Sequence, residues 1–168
     1  MSERKTTYKL LFVWNFEKEE QWLNEMAMEG WTLVDVGFCR YTFEKSEPGE
    51  YTVRLEMHSE GDSYIDFMKE TGAEYIGRVF NWIYFRKKTE DGTFNIFSDI
   101  DSKIKHLDKI GKLLAMVGFL NLFIGVINTF NPTHVGVINL LCATLLMYGL
   151  GRIHGKKESL EKEREIHE

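Results

Sequence analysis

The sequence predicts an α+β protein: a duplicated βαββ head with an antiparallel sheet and two helices, followed by a two-helix transmembrane hairpin. Three observations carry this. Between Lys112 and Arg152 lie 39 residues without Asp, Glu, Lys or Arg. In a chain that is 28% charged, such a gap arises by chance on the order of a few times in a million. Before it, residues 8–50 and 51–97 can be laid over one another, and each stretch reads strand, helix, glycine stop, strand, strand.

The first unit opens with residues 8–14, which alternate as a strand with Tyr8, Leu10, Phe12 and Trp14 on one face. Residues 17–28 place Trp22, Leu23, Met26 and Ala27 at helical spacing, with acidic residues at the start and Gly30 past the end. Residues 31–38 and 40–45 follow as strands, and residues 46–50 form a turn around Pro48. The second unit repeats the plan: a strand over 51–57, a helix over 63–71 stopped by Gly72, strands over 74–80 and 82–88, a turn at Glu90, Asp91 and Gly92, and a short strand over 94–97.

An offset of 43 matches Tyr8 with Tyr51, Tyr41 with Tyr84, Lys45 with Lys88, Glu47 with Glu90 and Gly49 with Gly92. In the middle an offset of 42 matches Met26 with Met68 and Gly30 with Gly72. A hairpin centred near Pro48 would pair Phe43 with Val53, Tyr41 with Leu55, Thr42 with Arg54 and Arg40 with Glu56. Apolar pairs then share one face.

Residues 99–112 place Ile100, Ile104, Leu107 and Ile110 at helical spacing, as an amphipathic juxtamembrane helix. The uncharged stretch divides at Asn131, Pro132, Thr133 and His134 into two runs, each close to the length that crosses a hydrocarbon core of about 30 Å. A buried hairpin of a soluble protein is the competing reading. Lys103, Lys105, Lys109 and Lys112 precede the first run, Arg152, Lys156 and Lys157 follow the second, and the turn carries none. Positive charge stays inside, so both termini are expected in the cytoplasm, with Lys109, Lys112, Tyr148 and Arg152 as anchors. Asn121, Asn128 and Asn139 can bond between helices, and Gly118 and Gly125 provide close packing within the hairpin or between copies. The expected domains are therefore a head over 1–98, the juxtamembrane helix over 99–112, the hairpin over 113–153 and a charged tail, solvated helix or frayed end, over 154–168.

Residues 1–100 hold 12 basic and 19 acidic residues, a net charge of −7. That balance argues against nucleic-acid binding, which needs a clustered basic face. Two cysteines, Cys39 and Cys142, make no disulfide framework and favour a reducing compartment. The N-terminus lacks the apolar core of a secretory signal, so the head is expected to stay where it is made.

The five histidines have no metal-ligand spacing, no phosphate-binding glycine loop occurs, and neither metal nor cofactor is expected. Glu17, Glu19, Glu20, Glu25 and Glu29 read as the solvated face of the first helix. An enzyme is not expected. The candidate ligand site is aromatic instead: Trp14, Trp31, Trp82, Tyr41 and Tyr84, with Arg40, Arg54 and Glu56 on the same strands, since apolar pockets with a few polar groups are how small-ligand sites are built.

The run from Glu20 through Trp22, Leu23, Asn24, Glu25, Met26 and Ala27 to Gly30, Trp31 and Leu33 resembles the bacterial DUF2812 family. Tyr41–Glu44, Glu47–Glu56 and Tyr84–Lys88 extend the resemblance, which covers about residues 8–110. It implies membrane spans after the head, a bacterial cell membrane and a functional link to PadR-like transcriptional regulators, and it carries no catalytic residues. The βαββ plan is also similar in architecture to gyrase-inhibitor-like effector-binding domains, which bind hydrophobic or cationic small molecules; fold alone does not transfer that function. The expected function is a membrane-tethered cytoplasmic sensory or regulatory module that binds a small amphipathic ligand or a protein partner. The alternative is a structural subunit that self-associates or docks on another membrane protein through its sheet face and hairpin.

Overall fold

The computed structural model describes residues 3–58, 62–97, 99–129 and 136–167. The chain divides into two compact units, Met1–Ile96 and Phe97–Glu168. The predicted 131–134 turn lies outside the described residues.

The first unit runs β1 (Arg4–Tyr8), α1 (Phe16–Met28), β2 (Trp31–Gly37), β3 (Arg40–Lys45), β4 (Tyr51–Met57), α2 (Asp62–Glu70), β5 (Glu74–Val79) and β6 (Trp82–Lys88). Its strands form two antiparallel sheets, ordered β1-β3-β2 and β4-β6-β5. Each sheet therefore places the last strand of a βαββ unit in the middle. The pairing of β2 with β3 shifts register between Leu33 and Asp35, and that of β5 with β6 shifts between Tyr75 and Gly77. These bulges lie 42 residues apart, as do Leu23 and Ile65, Met26 and Met68, and Phe43 and Phe85, all of them buried. Gly30 and Gly72, which end the two helices, both have positive φ, +80° and +85°.

Several sequence expectations are corrected. The first strand ends at Tyr8. Lys9 N–H makes a further backbone bond to Cys39 O at 3.0 Å, but β3 begins at Arg40, so the ladder has no further partner. The chain turns through a 3-10 helix at Val13–Asn15 and carries Trp14 inward, stacked on Phe12 at 4.7 Å. The hairpin between residues 40–45 and 51–57 does not pair: β3 is flanked by β1 and β2, which leaves β4 no edge to join. Phe43 and Val53, Tyr41 and Leu55, Thr42 and Arg54, and Arg40 and Glu56 are thus not cross-strand neighbours. Tyr8 pairs with Arg40 as Met57 pairs with Trp82, so β1 corresponds to β4 at an offset of 49 and not 43. Residues 94–97 form no strand, because β6 is already paired on both sides. Phe94 packs instead into a core of Ile65, Met68, Ile83 and Phe85.

Helix α1 holds an unusual position. Trp22 packs edge-on against Tyr41 and Phe43 of its own sheet, at 5.0 and 5.7 Å. The helix also closes the outer edge of β4: Val53 N–H donates to Asn24 Oδ1 at 2.9 Å, and Asn24 Nδ2 donates to Val53 O at 3.0 Å. Leu55 N–H donates to a Glu20 carboxylate oxygen at 3.3 Å. Side-chain groups thus take the place of a neighbouring strand on an edge that would otherwise template further pairing.

The second unit is an antiparallel pair, α3 (Ile100–Thr129) and α4 (Gly136–His167). The juxtamembrane helix and first apolar run are one element. Both helices are long and apolar enough to cross a membrane by length and composition. A Cβ on Gly118 would meet Met147 at 2.7 Å, and one on Gly125 would meet Leu140 at 2.8 Å, so these glycines serve contact within the hairpin. Asn121 donates to Val117 O of its own helix at 2.9 Å. The charged tail continues α4 and is stitched to α3 by Lys157 with Asp108 at 2.7 Å and Arg164 with Asp101 at 2.8 Å. Phe119, Phe123, Ile138 and Leu141 are each more than 60% exposed. A side-chain shell of that kind suits lipid.

Candidate functional site

Helix α1 turns Phe16, Glu19, Leu23 and Met26 inward. Glu19 sits on this buried stripe with 7% of its surface exposed. Its Oε1 accepts hydrogen bonds from Tyr41 Oη at 2.8 Å and Tyr84 Oη at 2.6 Å. The two phenols come from different sheets. Tyr41 projects from the helix-facing side of β3. Tyr84 projects from the side of β6 opposite Ile83 and Phe85, which pack in the cluster with Met68 and Ile65. Because α1 lies between these faces, one carboxylate joins both halves of the domain.

Above this group opens a cleft of about 120 Å³. Lys9, Leu10, Leu11 and Val13 line it from the segment after β1, Phe16 and Glu19 from α1, Phe38 and Cys39 from the β2–β3 turn, and Phe80, Trp82 and Tyr84 from the β5–β6 hairpin. Phe38 and Phe80 meet edge-on at 5.8 Å yet are 71% and 77% exposed. Cys39 and Phe80 both adopt positive φ, 55° and 53°, a conformation uncommon outside glycine that places the tight turns beside the cleft.

Burial pushes the Glu19 carboxyl above its ordinary pKa; the phenol donors of Tyr84 and Tyr41, and the charge of Lys9, oppose that rise. Burial also raises both phenols, and the neighbouring carboxylate adds to it. They therefore act as donors to Glu19 and not as bases. A carboxyl whose native pKa is raised binds its proton more tightly folded than unfolded. Its contribution to stability is present at low pH and is lost as pH rises through the native pKa. An ionised Glu19 in this apolar setting is thus a group the fold holds against its own preference, as ligand-binding carboxylates often are.

Of the residues proposed from sequence, Trp82, Tyr41 and Tyr84 come together in the cleft. The other five do not line it. Trp14 is buried behind it against Phe12. Trp31 lies at the far end of β2, with the ammonium groups of Lys5 and Lys45 5.5 and 4.7 Å from its ring centroid. Arg40 is paired with Asp35 at 2.7 Å. Arg54 faces Glu20 at 3.4 Å in a separate groove between α1 and β4. Glu56 lies beside Ile83, where it accepts from the Tyr64 hydroxyl. The expectation that the α1 carboxylates form a solvated face fails for Glu19, which is buried, and for Glu20, which is part-buried and engaged by Arg54 and Leu55. Helical phase could have found Glu19, since it follows Phe16 by three residues and precedes Leu23 by four.

The fold and this cleft define a class: an α+β domain of paired βαββ units with an apolar cleft over a buried glutamate, joined to an apolar helical hairpin. Residues 15–119 match the family described as protein of unknown function, DUF2812. The chain belongs to the DUF2812 family. The match begins after β1 and runs into α3, later at both ends than the 8–110 expected from sequence. No curated protein and no solved structure matches the chain.

Proposed function

We propose that this protein is a membrane-tethered binding module whose first unit takes a small amphipathic cation into the Glu19 cleft. The observation that carries this is a buried carboxylate, held by two phenols, at the floor of a cleft lined mainly by apolar and aromatic groups, with Lys9 as the basic residue of the lining. A positive head group adds to Lys9 in offsetting the desolvation of the Glu19 carboxylate, and aromatic faces such as that of Trp82 attract cations. A volume near 120 Å³ admits a head group and a few carbons, so the apolar remainder would lie across Phe38 and Phe80.

In this reading α3 and α4 cross the bacterial cell membrane with both ends in the cytoplasm, where Lys109, Lys112 and Arg152 are exposed on the helices. The two βαββ halves derive from one duplicated unit, and the protein binds and does not catalyse. Ligand occupancy is passed to a partner of regulatory character, as a link to a PadR-like regulator would require. The alternative is a subunit that self-associates or docks on another membrane protein through its sheet face and hairpin; Gly118 and Gly125 lend it no support, because they pack inside the hairpin.

The test uses the full chain in lipid nanodiscs, titrated with an arylalkyl ammonium and with the arylalkyl carboxylate of equal length while tryptophan emission is followed. Saturable binding of the cation alone is expected. Glu19→Gln should weaken it at least about tenfold, as loss of a hydrogen-bonded charge does. Affinity should also fall as pH is lowered through the raised pKa of Glu19, since protonation removes the carboxylate charge. Equal binding of both probes, or no effect of Glu19→Gln, defeats the proposal.

A further inference from the structure

We infer that the hairpin tips beside the cleft dock on an anionic lipid surface. The inference rests on the reading of α3 and α4 as membrane-spanning helices. Five large apolar side chains gather at this end of the first unit: Tyr8 is 75% exposed, Leu10 64%, Phe12 39%, Phe38 71% and Phe80 77%. Soluble surfaces seldom leave such a group in water, and aromatic side chains at turn tips fit the interfacial zone of a bilayer.

Charge selects the occupant. The three segments that build this end, residues 8–13, 37–41 and 78–82, contain Lys9, Arg40 and Arg78 and no acidic residue; with Asp35, paired with Arg40, and Glu19 in the cleft counted, the balance here is still positive, whereas residues 1–100 carry a net charge of −7. Lys9 reaches over the Trp22 ring at 4.0 Å, and Arg40 is held by Asp35. An aromatic tip with a basic rim on an otherwise acidic domain is complementary to phosphate head groups. The chain itself continues into two helices able to cross a bilayer, so the tip would meet lipid at a high effective concentration and a weak intrinsic affinity suffices. Docking there would open the cleft towards the leaflet in which amphipathic cations accumulate.

The test reconstitutes the full chain, with Cys39→Ser and Cys142→Ser, into vesicles of phosphatidylcholine and phosphatidylglycerol. An environment-sensitive fluorophore is attached in turn through Phe80→Cys, Phe123→Cys and Glu47→Cys. Position 123 reports the hairpin, 80 the tip, and 47 the turn at the opposite end of β3. Blue-shifted emission quenched by spin-labelled lipid is expected at 123 and 80 and not at 47. Quenching at 80 should fall at least about twofold when phosphatidylglycerol is omitted, or in Lys9→Gln with Arg78→Gln, because each basic group near an anionic surface contributes to binding. Quenching at 123 with position 80 as wet as position 47 overturns the docking alone. No quenching at 123 overturns the membrane reading beneath it. A blue shift at 80 without lipid quenching assigns the tip to a protein contact and overturns the lipid proposal.

Discussion

The two βαββ units share strand order, bulge position and core residues, but their helices differ in what they touch. Helix α2 covers one face of its own sheet, with Ile65 and Met68 in a cluster with Ile83 and Phe85. Helix α1 packs on its own sheet, closes the edge of β4 and delivers a carboxylate to Tyr84 of the other sheet. Equal topology with unequal polar content separates two jobs. The apolar contacts that recur at an offset of 42 hold each unit together; Glu19, Glu20 and Asn24 of α1, with the bond from Arg86 to Leu33 O, join the units, and Glu19 creates the site.

The greatest loss is expected at the shared core. Phe43 and Phe85 are both fully buried, so Phe43→Ala and Phe85→Ala should each cost about 3–5 kcal/mol in denaturant unfolding of the full chain in micelles. A large loss in one with little in the other would show that the two cores are not equivalent.

The second test sharpens the asymmetry. Asn24 and Asp66 occupy matching positions on α1 and α2. Asn24 satisfies both backbone groups of Val53, whereas Asp66 makes an exposed pair with Lys69. Asn24→Ala should cost about 1–3 kcal/mol, because Val53 loses both partners. Asp66→Ala should change stability by less than about 0.5 kcal/mol. Equal effects in the same unfolding measurement would remove the special role assigned to α1.

The smallest expected contrast lies at the helix stops. Gly72→Ala should cost about 1 kcal/mol for left-handed backbone, since a Cβ there meets nothing closer than the flexible end of Lys87 at 3.6 Å. Gly30→Ala should cost more, because its Cβ would lie 2.9 Å from the backbone oxygen of Ser46. The difference should show as a lower unfolding temperature for the Gly30 variant.

Much of this architecture is legible in the residues themselves. Glycine stops at 30 and 72, the apolar period of residues 17–28 and the uncharged 39-residue stretch each carry a local physical cause, and the elements form close to where that cause predicts. Trp82, Tyr41 and Tyr84 are legible as strand aromatics, but so is Trp31, which lies at the far end of β2 and outside the cleft. Glu19 escapes a reading by composition because a carboxylate among four on one helix looks solvated until its phase relative to Leu23 and Met26 is weighed. The pairing of β4 escapes for another reason: hairpin patterning is satisfied equally well by β3 and by β6, and local sequence does not reveal that β1 and β2 already occupy both edges of β3.

By itself, then, the sequence determined the periodic elements, the break between an acidic domain and an apolar hairpin, and the residues available for a core, since each follows from short-range spacing and charge. Only the tertiary structure decided which strands are neighbours, which glutamate is buried and that Tyr41 and Tyr84 meet on it. Those outcomes depend on competition among distant segments for the same edges and faces, and that competition is resolved when the chain packs.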